Sequence, residues 1–129
     1  MYSAQLLDHF EHPRNAGVLE APYAIAQLEN PVCGDVLALS ARIFDGRIAE
    51  IRFKAKGCVP AMACGSALTE LARGKTLSDA AAIRKQDLDS MLGGLPHASS
   101  HAAQLAIDTL KLLLRRREQQ DRTPSAARI

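Results

Sequence analysis

The chain changes from strand to helix within one ten-residue stretch, Gly57-Cys58-Val59-Pro60-Ala61-Met62-Ala63-Cys64-Gly65-Ser66. Before this stretch apolar side chains alternate with a period of two, whereas after it they recur at helical spacing. Pro60 suits the first turn of a helix because its missing N–H would have no partner there. We therefore expect a strand to end near Gly57 and a helix to run from Pro60 to about Ala72, with Gly74 as its C-terminal cap.

Cys58 directly precedes this predicted helix. The free N–H groups and the dipole at a helix N-terminus favour negative charge. We therefore expect the Cys58 thiol to ionise more readily than the thiol of a free cysteine. Because the thiolate is the form that binds a metal or attacks an electrophile, Cys58 is a candidate ligand or nucleophile.

Strands are predicted ahead of the helix. Alternating apolar residues indicate strands over residues 36–44 and 47–55, and a weaker alternation indicates another over residues 23–30. The Asp45-Gly46 pair between the last two strands is a strong signal for a two-residue hairpin. The apolar phase changes between Ile48 and Ile51, which indicates a bulge.

The hairpin brings together residues that are distant in the chain. In an antiparallel pair, the start of the first strand lies beside the end of the second. Cys33 and Asp35 precede the first strand and Cys58 follows the second, so we expect all of them at one end of the sheet. Two thiols and a carboxylate suit zinc or an iron–sulfur centre, and a fourth ligand is then expected. His101, at the start of the last predicted helix, is the best candidate for it.

Helical patterns occupy most of the remaining chain, and the order of strands followed by helices indicates an α+β fold. Arg115, Arg116 and Arg117 repel one another, and the polar run Thr123-Pro124-Ser125 breaks a helix. We therefore expect one domain over residues 1–117 and a mobile basic tail over residues 118–129. The predicted helices besides 60–72 cover residues 2–10, 77–82, 87–92 and 98–117. The candidate caps of helix 77–82 are Ser78 and Asp79.

Composition narrows the function classes. The 129 residues are 47% hydrophobic with a net charge of +2, which describes a single globular domain. The absence of Trp and an aromatic content of 4% argue against base stacking and hence against a nucleic-acid partner. No apolar run approaches the roughly 20 residues that span a bilayer. Because the N-terminus also lacks a signal-peptide pattern and three cysteines make no disulfide framework, we expect no membrane association and a cytoplasmic location.

Three further residues have a simpler interpretation. Cys64 lies among alanines and a methionine inside the predicted helix, which is typical of core packing. His9 and His12, on and after the first helix, have no thiol beside them in the sequence and are predicted to be solvated.

An enzyme that uses Cys58 as nucleophile and His101 as base remains an alternative, although no oxyanion or substrate motif accompanies it.

Four stretches in order along the chain carry a resemblance to a known family. They are residues 2–17 (with Asp8-His9-Phe10 and Pro13-Arg14-Asn15-Ala16-Gly17), Asn30-Pro31-Val32-Cys33-Gly34-Asp35, Phe53-Lys54-Ala55-Lys56-Gly57-Cys58, and Leu95-Pro96 with His101. Together they resemble the iron–sulfur cluster assembly scaffolds of the IscU, NifU N-terminal and SufU type. The resemblance implies a small three-stranded antiparallel sheet packed against several helices, and no enzymatic turnover. It also implies that the chain holds a [2Fe–2S] cluster or iron, with zinc as another occupant of the site.

The same resemblance implies roles for individual residues. The ligands would be Cys33, Asp35, Cys58 and His101, with Asp35 as the labile carboxylate. The family's third cysteine should follow His101, and here that position is Ala102, so Cys64 is a candidate additional ligand or sulfur acceptor.

Partners also follow from the resemblance. The sulfur donor would be a cysteine desulfurase and the receivers apo-protein acceptors, with the scaffold itself a monomer or dimer. The stretch that binds a chaperone in the family is altered here to Leu95-Pro96-His97-Ala98-Ser99, so this hand-off is not expected. The loss of the third cysteine supports an alternative, a degenerate member that acts as a zinc-binding regulatory or interaction module.

Overall fold

A computed structural model describes residues 2–20 and 24–122, with side chains described as far as residue 116. It confirms the predicted fold, a three-stranded antiparallel sheet with five α-helices. A 3₁₀ turn, His97–Ser99, precedes the last helix. The elements in chain order are α1 (Ala4–Glu11), β1 (Ala24–Glu29), β2 (Val36–Phe44), β3 (Arg47–Lys56), α2 (Val59–Ala72), α3 (Leu77–Ala81), α4 (Lys85–Met91) and α5 (Ser100–Arg122).

The sheet follows the turn chemistry of the sequence. Its strand order is β1-β2-β3, and both neighbouring pairs are antiparallel. Asp45 and Gly46 have φ angles of 54° and 73°, the positive values that a tight hairpin turn requires. The predicted bulge is confirmed, because Arg42 pairs with Glu50 while Ile43 pairs with Ile48. The hairpin therefore keeps its apolar side chains on one face despite the change of phase.

The core lies between one face of the sheet and two helices. Helix α2 packs on β3, and α5 packs on β1 and β2. Helix α2 is buried on nearly every side, which explains its alanine-rich sequence without a polar face. Gly65 allows the closest approach, since a Cβ atom there would lie 2.6 Å from Cδ2 of Phe53. Small residues in α2 thus set the distance between helix and sheet.

His9 corrects the prediction that it is solvated. Its side chain is 8% exposed, and its Nδ1 lies 2.8 Å from the Ser66 hydroxyl of α2. The same hydroxyl oxygen accepts the backbone N–H of Arg14 at 2.8 Å. Burial, and next the Arg14 charge, lower the pKa of His9, so the neutral form is favoured. His9 thus attaches α1 to α2 as a neutral hydrogen-bonding group, while His12 is exposed as predicted.

Several predicted helix boundaries change by one to five residues. Thr76 caps α3, in place of Ser78 or Asp79, because its side chain accepts the N–H of Asp79. Helix α4 begins at Lys85, earlier than predicted, and α5 continues past Arg117 to Arg122. The predicted mobile tail, residues 118–129, lies outside the described residues apart from the helical backbone of 118–122.

None of the helices in the described part of the chain is both long and apolar enough to cross a membrane.

Candidate metal centre

The loop between β1 and β2 presents Cys33. Its ends are held together because the Asn30 N–H donates to the Asp35 carbonyl at 2.7 Å, and the Gly34 N–H donates to the Asn30 carbonyl at 2.7 Å. Gly34 has a φ of 77°, a backbone conformation that glycine adopts without strain. The tight loop leaves the Cys33 side chain exposed at the end of the sheet.

Asp35 and Cys58 meet at the same end of the sheet, as the hairpin geometry predicts. Val36 pairs with Lys56, so the residues just beyond this pair are neighbours. The Asp35 side chain is 5% exposed, and its carboxylate accepts the Cys58 N–H at 3.1 Å and the Cys58 thiol at 3.0 Å. Each carboxylate oxygen takes one of these bonds, so the side chain of Asp35 is held in one orientation.

His101 reaches the group from the first turn of α5. Its Nδ1 lies 3.0 Å from the Ala98 carbonyl, which can only accept, so Nδ1 carries the proton of the neutral ring. Its other ring nitrogen, Nε2, lies 3.7 Å from Oδ2 of Asp35. A backbone carbonyl on the far ring nitrogen is the usual way in which a metal-binding histidine is oriented.

The structure therefore brings the predicted donors together at one end of the sheet. Ligand atoms of Cys33, Asp35 and His101 all lie within 4.8 Å of one another. Cys58 is outside this mutually close set but is in direct contact with it, because its thiol donates to Oδ2 of Asp35 at 3.0 Å. Within the described residues, Cys64 is not one of the donors that converge there, since it lies fully buried in the core. The two soft sulfurs, one carboxylate and one imidazole nitrogen form a donor set that suits zinc or iron.

The predicted low pKa of the Cys58 thiol is wrong for the metal-free protein. Burial, together with the hydrogen bond to the Asp35 carboxylate, raises the pKa of Cys58 to about 11. The Ala61 N–H in the first turn of α2 acts in the opposite direction, as expected at a helix N-terminus, but its effect is smaller. Burial would raise the pKa of Asp35, yet hydrogen bonds from Cys58 and Cys33 outweigh it and lower the pKa. The proton therefore resides on the Cys58 sulfur and the negative charge on Asp35.

This protonation state predicts a loss of stability at alkaline pH. The folded state holds the Cys58 proton up to a pKa of about 11, against an ordinary value of 9.0. The stabilising contribution is thus fully present below pH 9 and is lost as the pH rises through the folded pKa. Melting temperatures of chelator-treated protein between about pH 8 and pH 10.5 should fall, and they should fall less in Cys58→Ala. An equal fall in both proteins would contradict the assignment.

Cys64 and position 102 lie in the core behind the donor group. Cys64 has no exposed surface, and burial raises the pKa of its thiol to about 12. The negative charges that Cys58 and Asp89 can carry act in the same direction as burial on the pKa of Cys64, with smaller effect. Ala102, next to His101, is 1% exposed and supplies only a methyl group.

Gly57 is a positioning residue that the sequence did not reveal as such. A Cβ atom on Gly57 would lie 2.1 Å from Oδ1 of Asp35, well inside van der Waals contact. The absence of a side chain is therefore what lets the Asp35 carboxylate lie against the chain and accept both groups of Cys58. In the sequence this glycine indicates only a bend of the backbone, and its φ of 147° agrees with that interpretation.

Comparisons with known proteins identify the family of the chain. Residues 1–121 match the family described as NifU-like N terminal domain. Iron-sulfur cluster assembly scaffold protein IscU 1 of Archaeoglobus fulgidus is 40% identical over 111 residues, which cover 86% of this chain and 72% of that protein. Iron-sulfur cluster assembly scaffold protein IscU of Aquifex aeolicus is 37% identical over 116 residues, covering 88% and 74%.

A solved structure extends the similarity to the fold. The N-terminal part of a nitrogen-fixing NifU-like protein from Brucella abortus superposes with a TM-score of 0.73 at 18% identity, covering 91% of this chain and 94% of that one. The family match over nearly the whole chain and the close relatives lead to one conclusion: the chain belongs to the NifU-like N-terminal domain family.

Proposed function

We propose that this protein is a scaffold on which an iron–sulfur cluster is assembled before delivery to other proteins. The observation that carries the proposal is the convergence of Cys33, Asp35 and His101, with Cys58 bonded to Asp35, at one accessible end of the sheet. Membership of a family whose relatives are named as cluster assembly scaffolds supports it. The cargo under this proposal is iron or a [2Fe–2S] cluster.

The donor set fits such a cargo. Thiolates match the soft iron–sulfide unit, and a carboxylate is the weaker ligand that makes release feasible. Cys33 is exposed and so accessible to an incoming iron or sulfur species. The Nδ1 of His101 is already placed by the Ala98 carbonyl, and its Nε2 lies 3.7 Å from Oδ2 of Asp35, so little reorganisation is needed at that donor.

Asp35 performs two tasks in the proposal. In the free protein it accepts the Cys58 thiol proton and the Cys58 N–H, which keeps the sulfur protonated and in place. A metal cation competes with the proton for the thiol, because a coordinated thiol is deprotonated. The buried carboxylate then faces a cation instead of a thiol, so its negative charge remains compensated in both states.

The remaining assignments belong to the same proposal. A cysteine desulfurase supplies sulfur, apo-protein acceptors receive the cluster, and the protein acts by binding rather than by catalytic turnover. The raised pKa of Cys58 supports this last point, since a nucleophilic cysteine needs its thiolate near neutral pH. The cytoplasmic location and the monomeric or dimeric state stay predictions.

Anaerobic reconstitution with iron and sulfide tests the proposal. We expect a visible cluster chromophore with stoichiometric iron in the parent protein, and a sharp loss in Cys33→Ala and Cys58→Ala. His101→Ala should also lose metal, whereas His97→Ala, which removes an exposed histidine of the same segment, should not. Because metal bound only to the folded state stabilises it, chelator should lower the melting temperature of the loaded parent. Equal metal content in His101→Ala and the parent would contradict the ligand set.

A zinc-binding interaction module is the second candidate function. The observation that favours it is the alanine at position 102, which leaves Cys33 and Cys58 as the thiols at the site. Two thiolates with a carboxylate and an imidazole also satisfy tetrahedral zinc. The same reconstitution separates the two functions, since tight colourless zinc that iron and sulfide do not displace would identify the module.

A further inference from the structure

In the described part of the chain, one face of the sheet carries no helix. Residues of β3 with odd numbers from Ile51 to Ala55 face the core, so Arg52, Lys54 and Lys56 lie on the opposite face, which we call the outer face. Part of it is covered by the segment before β1, because the Leu19 N–H donates to the Ser40 hydroxyl at 3.1 Å and both residues are buried. The covered part begins at Ser40, in the middle of β2 and opposite Arg52, and continues away from the metal centre to Arg42, whose guanidinium donates to the Glu20 carbonyl at 2.8 Å. The remainder, towards Val36 and Lys56, is open.

A row of positive charges borders this open part. Arg52, Lys54 and Lys56 are all exposed, and alternate residues of a strand lie about 7 Å apart. Their partners across the strand pair are Ser40, Ala38 and Val36, none of which is charged.

Two acidic side chains described on this face do not pair with the row. Glu50 forms an ion pair with Arg42, and Glu29 of β1 lies across Val36 from Lys56. Among the described residues, no acidic side chain forms an ion pair with Arg52, Lys54 or Lys56. Arg52 donates one hydrogen bond to the Ala16 carbonyl at 3.3 Å, which leaves its charge uncompensated. Like charges at this spacing repel one another, and an acidic partner would relieve that repulsion.

The row leads directly to the metal centre. Lys56 is two residues before Cys58, and its cross-strand partner Val36 follows Asp35. A molecule bound along the row therefore lies beside the exposed Cys33 at the end of the sheet. This position suits a protein that exchanges cargo with the site.

We propose that the open outer face is a docking surface for an acidic segment of a partner protein. Carboxylates on alternate residues of an extended segment, or on successive turns of a helix, match the spacing of Arg52, Lys54 and Lys56. Ala38 and the half-buried Val36 supply a small apolar floor beside the row. A nucleic acid fits less well, since the strand residues described on this face include no aromatic side chain for base stacking near the row.

The choice of an acceptor as the partner rests on the scaffold function proposed above, but the docking test does not require a loaded site. The probe is the apo form of an acidic [2Fe–2S] ferredoxin, labelled for fluorescence anisotropy and titrated with metal-free protein. The test variant is Arg52→Glu/Lys54→Glu/Lys56→Glu. The control is Arg84→Glu/Lys85→Glu/Lys111→Glu, which makes the same change in net charge around a cavity beside α4 and α5. Lys54→Glu/Lys56→Glu avoids the Arg52 contact with Ala16 if the triple variant is poorly folded.

At low salt we expect the parent to bind the probe at least tenfold more tightly than the test variant does. The control should remain within twofold of the parent, and the difference should shrink at high salt because these charges are exposed. A labelled single-stranded DNA oligonucleotide serves as a second probe. Equal weakening of ferredoxin binding in the test and control variants would overturn the proposal. A parent protein that binds the oligonucleotide but not the ferredoxin would also overturn it. Metal content is measured separately. A parent that binds no metal would reject the scaffold function while the anisotropy still decides the docking surface.

Discussion

Replacement of Gly57 by alanine is expected to lower the metal affinity of the site about 10- to 100-fold, the usual range for residues that position a ligand. The new Cβ atom would lie 2.1 Å from Oδ1 of Asp35 and 3.0 Å from its Cβ, so the carboxylate must move. Movement breaks the bonds from the Cys58 N–H and thiol and leaves buried polar groups without partners. Together with the φ of 147°, this should destabilise the fold by about 2–5 kcal/mol. Metal titration and chemical denaturation measure the two effects.

Gly46→Ala is the matched control for this prediction. Gly46 also has a positive φ, of 73°, but a Cβ atom there would meet no heavy atom within 4 Å. The control therefore carries backbone strain of about 1–2 kcal/mol without touching the donor group. Metal affinity should be unchanged in Gly46→Ala. If Gly57→Ala binds metal as the control does, Asp35 is not held by that contact and the positioning role is wrong.

The sequence predicted the parts of the site that depend on local chemistry. The Asp45-Gly46 turn determines the register of β2 against β3, and the register alone places Asp35 beside Cys58. The position of His101 at the same end of the sheet could be predicted only with the family resemblance, because no local pattern relates α5 to the end of the sheet. The bulge after Arg42 was also predictable, because a strand whose apolar phase changes needs one extra residue to keep its apolar side chains on one face.

The sequence failed where the answer depends on burial. The helix N-terminus does favour the Cys58 thiolate, but the extent to which the packed chain removes water from the sulfur cannot be read from neighbouring residues. His9 shows the same limit. Its partner Ser66 is 57 residues away in the chain, so the local sequence has no sign that a hydroxyl lies beside the imidazole. The contact of Gly57 with Asp35 is likewise visible only once both strands of the hairpin are in place.

Cys64→Ala and Ala102→Cys are the two variants that identify the source of a third sulfur ligand. Cys64 is fully buried and, unlike Cys58, forms no hydrogen bond with Asp35 in the described structure, so we expect Cys64→Ala to reconstitute the same cluster chromophore as the parent. Its effect should be confined to stability, a loss of about 1 kcal/mol for the missing sulfur contacts. Absorption spectra and iron analysis after anaerobic reconstitution measure the first effect, and thermal melting the second.

Ala102→Cys is expected to raise the yield and lifetime of the chromophore severalfold, because it adds a thiol beside His101, where the scaffold resemblance places the third cysteine. The buried methyl of Ala102 leaves little room, so some loss of stability accompanies the gain. If the first turn of α2 opens and exposes the Cys64 thiol to the cluster, Cys64 becomes the third sulfur ligand and the results for the two variants change. In that case Cys64→Ala abolishes the chromophore, and Ala102→Cys in the same background restores it. A parent-like chromophore in Cys64→Ala, followed by no gain in Ala102→Cys, would mean that Cys33, Asp35, Cys58 and His101 suffice without a third thiol.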